Sequence, residues 1–136
     1  MEKLFLELVT PERVLVSREV DMVVAPGTDG EFGILPGHAL FLSGIVPGEI
    51  RYTSGSETEL FAVTTGFAEV SNNKVSVLVD AAERATEIDV ERAQRAIQRA
   101  QERLAMDRRT KDIDFHRAEA ALRRATARLK VAQKVK

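Results

Sequence analysis

Glycine and proline are confined to the first half of this chain, where all eight glycines and all four prolines lie between Pro11 and Gly66. Both residues break helices, and both punctuate sheets with turns. The segment after Thr86 is drawn largely from Ala, Arg, Gln, Glu and Leu, which are strong helix formers. Such a chain must fold as two unlike pieces. Charge divides with composition: residues 1–91 carry 6 Lys/Arg against 16 Asp/Glu (net −10), whereas residues 92–136 carry 14 against 5 (net +9). The total of −1 hides a strong dipole.

In the first piece the apolar period is two. Leu4, Leu6 and Leu8 share one face of an extended chain that Thr10-Pro11 closes. Arg13–Val16 and Glu19–Ala25 read as strands separated by Ser17-Arg18, and Pro26-Gly27-Thr28-Asp29-Gly30 reads as a turn. Phe32–Leu35, Ala39–Val46, Ile50–Thr53, Glu59–Thr64, Gly66–Val70 and Val75–Asp80 follow, separated by turn dipeptides such as Pro36-Gly37, Pro47-Gly48 and Asn72-Asn73. Strands at this spacing predict an antiparallel sandwich or barrel.

Beyond Ala81 the period becomes about 3.6. Ala93, Ala96, Ile97, Ala100 and Leu104 share one helix face, and the helix is expected to end near Asp107. Ala118, Ala121, Leu122, Ala125, Leu129 and Ala132 repeat the pattern after a charged link, Arg108–Asp112, short enough to fold the two helices into an antiparallel hairpin. The helices are also a sequence repeat. Ile88, Asp89, Arg92, Ala93, Ala96, Arg99, Ala100, Arg103 and Leu104 recur 25 positions later, from Ile113 and Asp114 to Leu129, so that 9 of 17 positions match. Each copy opens on an Asp cap (Asp89, Asp114) flanked by Ile at N′ and Ala at N4, a small hydrophobic staple. An alanine methyl contributes only about 0.8 kcal/mol on burial, against roughly 1.5 to 3 for Leu or Ile. With Ile97, Leu104, Leu122 and Leu129 as the large anchors, undocking the hairpin is expected to cost only a few kcal/mol, a range that ligands and partners can shift. The expected class is α+β, mainly β, with a sandwich domain at 1–85 and a helical hairpin at 86–136.

Several function classes fall away. The chain has no cysteine, which excludes disulfides and thiolate metal sites and fits a reducing compartment. Its apolar runs, such as Val75–Val79, fall far short of the ~20 residues of a membrane-spanning helix. Met1–Phe5 lacks the pattern of a signal or transit peptide, so an untargeted protein made in the cytosol is expected. Gly27-Thr28-Asp29-Gly30 is no phosphate loop, because it lacks the Gly-Lys-Ser/Thr ending and precedes a strand.

Gly33-Ile34-Leu35-Pro36-Gly37-His38-Ala39, Gly66-Phe67-Ala68-Glu69-Val70, Val77-Leu78-Val79-Asp80-Ala81-Ala82-Glu83-Arg84-Ala85 and the Ala/Arg hairpin occur in an order that closely resembles the epsilon subunit of bacterial F-type ATP synthases. The resemblance runs the length of the chain. It implies a ten-stranded sandwich that binds the gamma subunit and the c-subunit ring in the central rotor stalk. It also implies a hairpin that lies against the sandwich or extends into the alpha/beta catalytic head to inhibit ATP hydrolysis. Such a subunit is noncatalytic, serves a complex that makes ATP from a proton gradient, and lies peripherally on the cytoplasmic face of the inner membrane, associated with the membrane only through the complex. Two positions depart from the family pattern: Leu40-Phe41 follows Ala39 where Pro-Leu is usual, and Thr65 stands where a second glycine is frequent.

Ile88-Asp89-Val90-Glu91-Arg92-Ala93 resembles the motif with which some of these subunits bind ATP without hydrolysing it. The resemblance implies a regulatory site at Glu83, Ile88, Asp89, Arg92, Ala93 and Arg99, with no cofactor required. Forked guanidiniums suit phosphate oxygens, and Arg124 and Arg128 can converge from the second helix. Against this stands the second copy at Ile113–Ala118, since capping, staple and solvated arginine account for the same pattern unaided. Glu31 and His38 are implied contacts with gamma or the c ring. His38 has no catalytic partner: the other histidine is His116, on the arm, and neither a nucleophilic cysteine nor a metal-ligand set accompanies it. The basic arm also admits a nucleic-acid-binding alternative, weakened by its single aromatic residue, Phe115, and by the lack of a reader motif.

Overall fold

The computed structural model describes residues 2–106 and 114–135. Ten strands come first: β1 (Leu4–Val9), β2 (Val14–Val20), β3 (Met22–Gly27), β4 (Gly30–Ile34), β5 (Phe41–Ile45), β6 (Gly48–Ser54), β7 (Glu57–Val63), β8 (Gly66–Ser71), β9 (Lys74–Val79) and β10 (Ala82–Arg84). A 3₁₀ turn at Ala85–Glu87 leads to helices α1 (Val90–Leu104) and α2 (Phe115–Gln133). The anticipated link Arg108–Asp112 and the second staple residue Ile113 lie outside the described residues.

The strands run in the order β10-β7-β6-β3-β5-β8-β9-β1-β2, with β4 paired to β3. A single residue pair, Gly27 with Ile45, joins β3 to β5, and there the sheet folds over into two facing layers. Their inward faces form one core: Leu4, Leu6 and Leu8 of β1 are wholly buried, as are Ile50, Phe61, Val70, Val75 and Val77 from the strands around them. β1 lies inside its layer, antiparallel to β2 and parallel to β9. The expected mainly β sandwich followed by an antiparallel hairpin is the fold found, although the β1–β9 pair is parallel.

Strand limits differ in places. The break expected at Ser17-Arg18 falls instead at Asp21, because Ser17 and Arg18 pair with Glu7 and Leu6 in the β1–β2 ladder. Asp21 makes the corner: its carboxylate accepts from Lys3 Nζ (2.5 Å) and from the backbone N–H of Gly55 (2.7 Å). Those two donors, Lys3 foremost, hold its carboxyl below the usual carboxylate range. Pro26 and Gly27 belong to β3 and Gly30 and Glu31 to β4, so the turn shrinks to Thr28-Asp29. β10, too short to carry a period, was not apparent in the sequence.

The helices begin where the repeat placed them. Asp89 Oδ1 accepts from the Arg92 N–H at 3.1 Å and Asp114 Oδ1 from the Arg117 N–H at 3.0 Å. Their contact is built from alanines, with Ala93 and Ala100 of α1 and Ala118 and Ala125 of α2 buried. Ile97, Leu104, Leu122 and Leu129 are only half-buried. A second apolar cluster joins hairpin to sandwich: Ile88, Val131 and Ala132 pack on Ala62 and Ala85, beside Leu60 and Val90.

Gly66 marks the tightest approach in the sandwich. A Cβ there would lie 2.0 Å from the Leu78 carbonyl oxygen and 2.7 Å from Val79 Cα. Both obstacles are backbone, so a methyl can be accommodated only by shifting β8 or β9. Gly66→Ala is expected to lower the unfolding free energy by about 2 to 3 kcal/mol in urea denaturation; a loss below about 0.5 kcal/mol would show that the strands yield freely.

Candidate functional site

The hairpin covers the sandwich without closing on it everywhere. α2 rests on β6, β7 and the 3₁₀ turn, and α1 packs on α2. Between the alanine faces and the sandwich remains a cavity of about 770 Å³, within the usual range for small-molecule sites. Its floor comes from Ala62, Val63 and Thr64 at the end of β7 and from Asp80–Glu83, with Thr10, Glu12 and Arg13 of the β1–β2 turn at its side; its roof holds Ala96, Ala121 and Ala125. The small side chains that weaken helix docking are what leave this space.

Charge gives the cavity its chemistry. Five arginines line it (Arg13, Arg92, Arg99, Arg124 and Arg128) against three carboxylates (Glu12, Asp80 and Glu83). Arg128 is bound already, its Nε donating to Glu83 Oε1 at 2.5 Å and its Nη2 to Oε2 at 3.2 Å. Asp80 accepts from the Thr65 hydroxyl at 3.1 Å, so the residue that replaces the family's frequent glycine tethers the β7–β8 turn to β9. Among the described residues, no carboxylate lies within ion-pair distance of Arg92, Arg99 or Arg124. Three guanidiniums facing one partly enclosed space suit a polyanion with flat, multidentate acceptors. Among the described residues, no group of three or more His, Asp or Glu side chains is placed to hold a metal ion, and no helix is long and apolar enough to cross a membrane.

Of the residues that the resemblance assigns to a nucleotide, Glu83, Arg92 and Arg99 line this cavity. Ile88 sits in the apolar seam, Asp89 caps α1 and Ala93 is buried in the helix contact, none of them on the cavity wall. Glu31 and His38 lie elsewhere, neither on the cavity wall. Glu31 is exposed on β4 with Arg51 at 3.6 Å, and the half-buried His38 ring stands edge-on to Phe41, its Nδ1 2.8 Å from the Ala39 carbonyl oxygen. Leu40, in the family's proline position, projects into solvent beside them.

Thr10, Glu12, Arg13, Thr64 and Asp80 were not foreseen at a site. Each is an ordinary turn or strand-end residue in sequence, and only the closure of the sandwich brings the β1–β2 turn opposite the hairpin. Val131 was also missed as an anchor. It falls outside the alanine stripe, and packs with Ala62 of β7, Ala85 and Ile88 only once α2 is docked.

Two family models match the chain: "ATP synthase, Delta/Epsilon chain, beta-sandwich domain" over residues 3–85, and "ATP synthase, Delta/Epsilon chain, long alpha-helix domain" over residues 86–133. An ATP synthase epsilon chain of Carboxydothermus hydrogenoformans is 58% identical over 104 residues, covering 76% of this chain and 78% of its own. The ATP synthase epsilon chain of Nitratidesulfovibrio vulgaris is 52% identical over 106 residues, covering 77% and 79%. Among solved structures, a chain of the Euglena gracilis mitochondrial ATP synthase shares the fold with a TM-score of 0.84 at 22% identity, over 96% of this chain and 81% of that one.

The paired Arg128 and Glu83 cross from α2 to the sandwich, half-sheltered from solvent. Replacing Arg128 by Ala or Glu83 by Gln is expected to weaken hairpin docking by about 1 kcal/mol. The readout is hydrogen exchange, with amides of Thr126–Gln133 opening about fivefold more often and those of β1 and β9 unchanged. Equal protection of α2 in all three proteins would show that the pair contributes nothing to docking.

Proposed function

As the chain belongs to the ATP synthase delta/epsilon chain family, we propose that its sandwich joins the gamma subunit to the c-subunit ring of the central stalk, and that its hairpin is a nucleotide-sensitive latch on ATP hydrolysis. Family membership makes the chain a noncatalytic subunit of ATP synthase and leaves the nucleic-acid alternative without support. In the proposed reading the protein works on the cytoplasmic face of the inner membrane, peripherally, held there by the complex. Glu31 and His38 contact gamma or the c ring, and the basic outer face of the hairpin meets an acidic surface of the alpha/beta head.

One observation carries the latch: the cavity, with three arginines that no carboxylate among the described residues pairs, exists only while the hairpin lies on the sandwich, because its walls come from both. A polyphosphate bound there adds its binding energy to docking, by RT ln(1 + [L]/Kd), or about 2.7 kcal/mol at a hundredfold excess over Kd. The seam it reinforces is small. Ile88 and Val131 are its large buried side chains, each contributing roughly 1.5 to 3 kcal/mol, and alanines supply the rest. Ligand and seam are therefore of comparable strength, the condition for a switch. Regulatory ATP fits the cavity in charge and size, Arg92, Arg99 and Arg124 taking phosphate oxygens and the alanine wall the base.

The chain has no cysteine, so paired labels can be placed cleanly at Ser56→Cys, in the exposed β6–β7 turn, and at Gln101→Cys, on the exposed face of α1. ATP is expected to narrow the distance distribution between them toward the docked value, and Arg92→Ala to abolish the effect. No change with ATP, or the same change in the variant, would defeat the nucleotide latch. Failure of the full chain to bind gamma would defeat the stalk assignment separately.

A further inference from the structure

Among the described residues, the cavity has one cation that does not belong to the hairpin. Arg13 is the only Lys or Arg among its lining residues contributed by the sandwich. Its backbone is fixed: the Thr10 hydroxyl accepts from the N–H groups of Glu12 (3.3 Å) and Arg13 (3.2 Å), and the Thr10 N–H donates to the Arg13 carbonyl (2.9 Å). Thr10 is the only buried polar residue among the described residues, so this turn is anchored in the sandwich. From it Arg13 lines the cavity, its guanidinium holding one loose partner, Glu87 of the 3₁₀ turn at 3.7 Å, both side chains about half exposed. A long, exposed pair of this kind holds its members weakly. Glu87 also has Arg84 at 3.6 Å and would not be left alone if Arg13 turned away.

We propose that Arg13 is a phosphate-binding residue of this cavity and the one that makes a bound polyphosphate sense hairpin docking. The inference rests on the nucleotide reading above and adds to it a residue from outside the helical motif. A ligand shifts a conformational equilibrium only by the difference between its affinities for the two states. Arg92, Arg99, Arg124 and Arg128 all travel with the hairpin, so contacts to them can persist when it leaves the sandwich. Of the charged sandwich residues on the wall, Glu12, Asp80 and Glu83 repel phosphate. Arg13 alone supplies a charge-assisted bond that is lost on undocking. In taking a phosphate it exchanges Glu87 of the 3₁₀ turn for the ligand.

The test is calorimetric titration of the full-length protein with ATP and, separately, with inorganic tripolyphosphate, for the unmodified chain and for Arg13→Ala, Arg13→Lys and Arg18→Ala. Arg18 removes the same charge from the sandwich at a site away from the cavity. Arg13→Ala is expected to weaken both ligands about tenfold, Arg13→Lys about threefold because the charge remains without the fork, and Arg18→Ala less than about twofold. Thermal unfolding confirms that each variant is folded; should Arg13→Ala fail to fold, Arg13→Lys decides. An Arg13 variant that binds like Arg18→Ala would overturn the inference and leave the nucleotide reading standing. An unmodified chain that binds neither ligand would overturn both.

Discussion

The seam between α2 and the sandwich governs what the rest of the molecule can do. It is a small patch, Ile88 and Val131 with three alanines, edged by the ion pairs Arg128–Glu83 and Lys134–Glu49. The opposite net charges of the two pieces add a long-range term that draws the basic helices toward an acidic sandwich without fixing them rigidly. Such attraction weakens with salt, whereas the apolar patch does not. Short-range packing therefore decides where the hairpin rests, and charge decides how readily it returns. The same alanines that keep the seam weak leave room for a ligand, so lability and binding have one physical origin.

The sandwich is built in the opposite way. Its interior strand β1 buries Leu4, Leu6 and Leu8 completely between neighbours on both sides, and Gly66 lets two backbones approach more closely than any side chain would allow. Corners are tied by polar contacts: Asp21 to Lys3 and Gly55, Thr10 to the β1–β2 turn, and Asn73 Oδ1 to the Gly37 N–H at 2.7 Å. A body so pinned can transmit force without deforming, the property the proposed stalk role demands. It also gives the hairpin a fixed reference surface, without which docked and undocked would not be distinct states.

What was readable in the sequence follows from the range of the interactions concerned. Asp89 and Asp114 cap helices through bonds to residues three positions on, so both helix starts could be named in advance. Leu4, Leu6 and Leu8 announce a buried strand face by spacing alone. Ser17-Arg18 misled because polar residues on an outward strand face look like a turn, and only pairing with Glu7 and Leu6 shows otherwise. The parallel β1–β9 pair joins segments some seventy residues apart and leaves no local trace. The candidate site divides along the same line. Arg92 stands in a recognisable motif and Arg99 in the helical repeat, whereas Arg13 stands in a turn whose nearness to the hairpin is purely tertiary.

The helical repeat sharpens this last point. The two copies carry six arginines at matching positions: Arg92, Arg99 and Arg103 in the first, Arg117, Arg124 and Arg128 in the second. Were the motif itself the site, equivalent residues would behave alike. They do not, because the cavity takes Arg92 and Arg99 from α1 but Arg124 and Arg128 from α2, leaving Arg103 and Arg117 outside. Antiparallel packing explains the choice. The start of α1 and the end of α2 lie together over the sandwich, while the end of α1 and the start of α2 lie together away from it. Sequence repetition supplies arginines to both ends of the hairpin, and contact with the sandwich selects four of them. A site defined in this way loses its sandwich wall when the hairpin departs, although every residue of the motif travels with the helices.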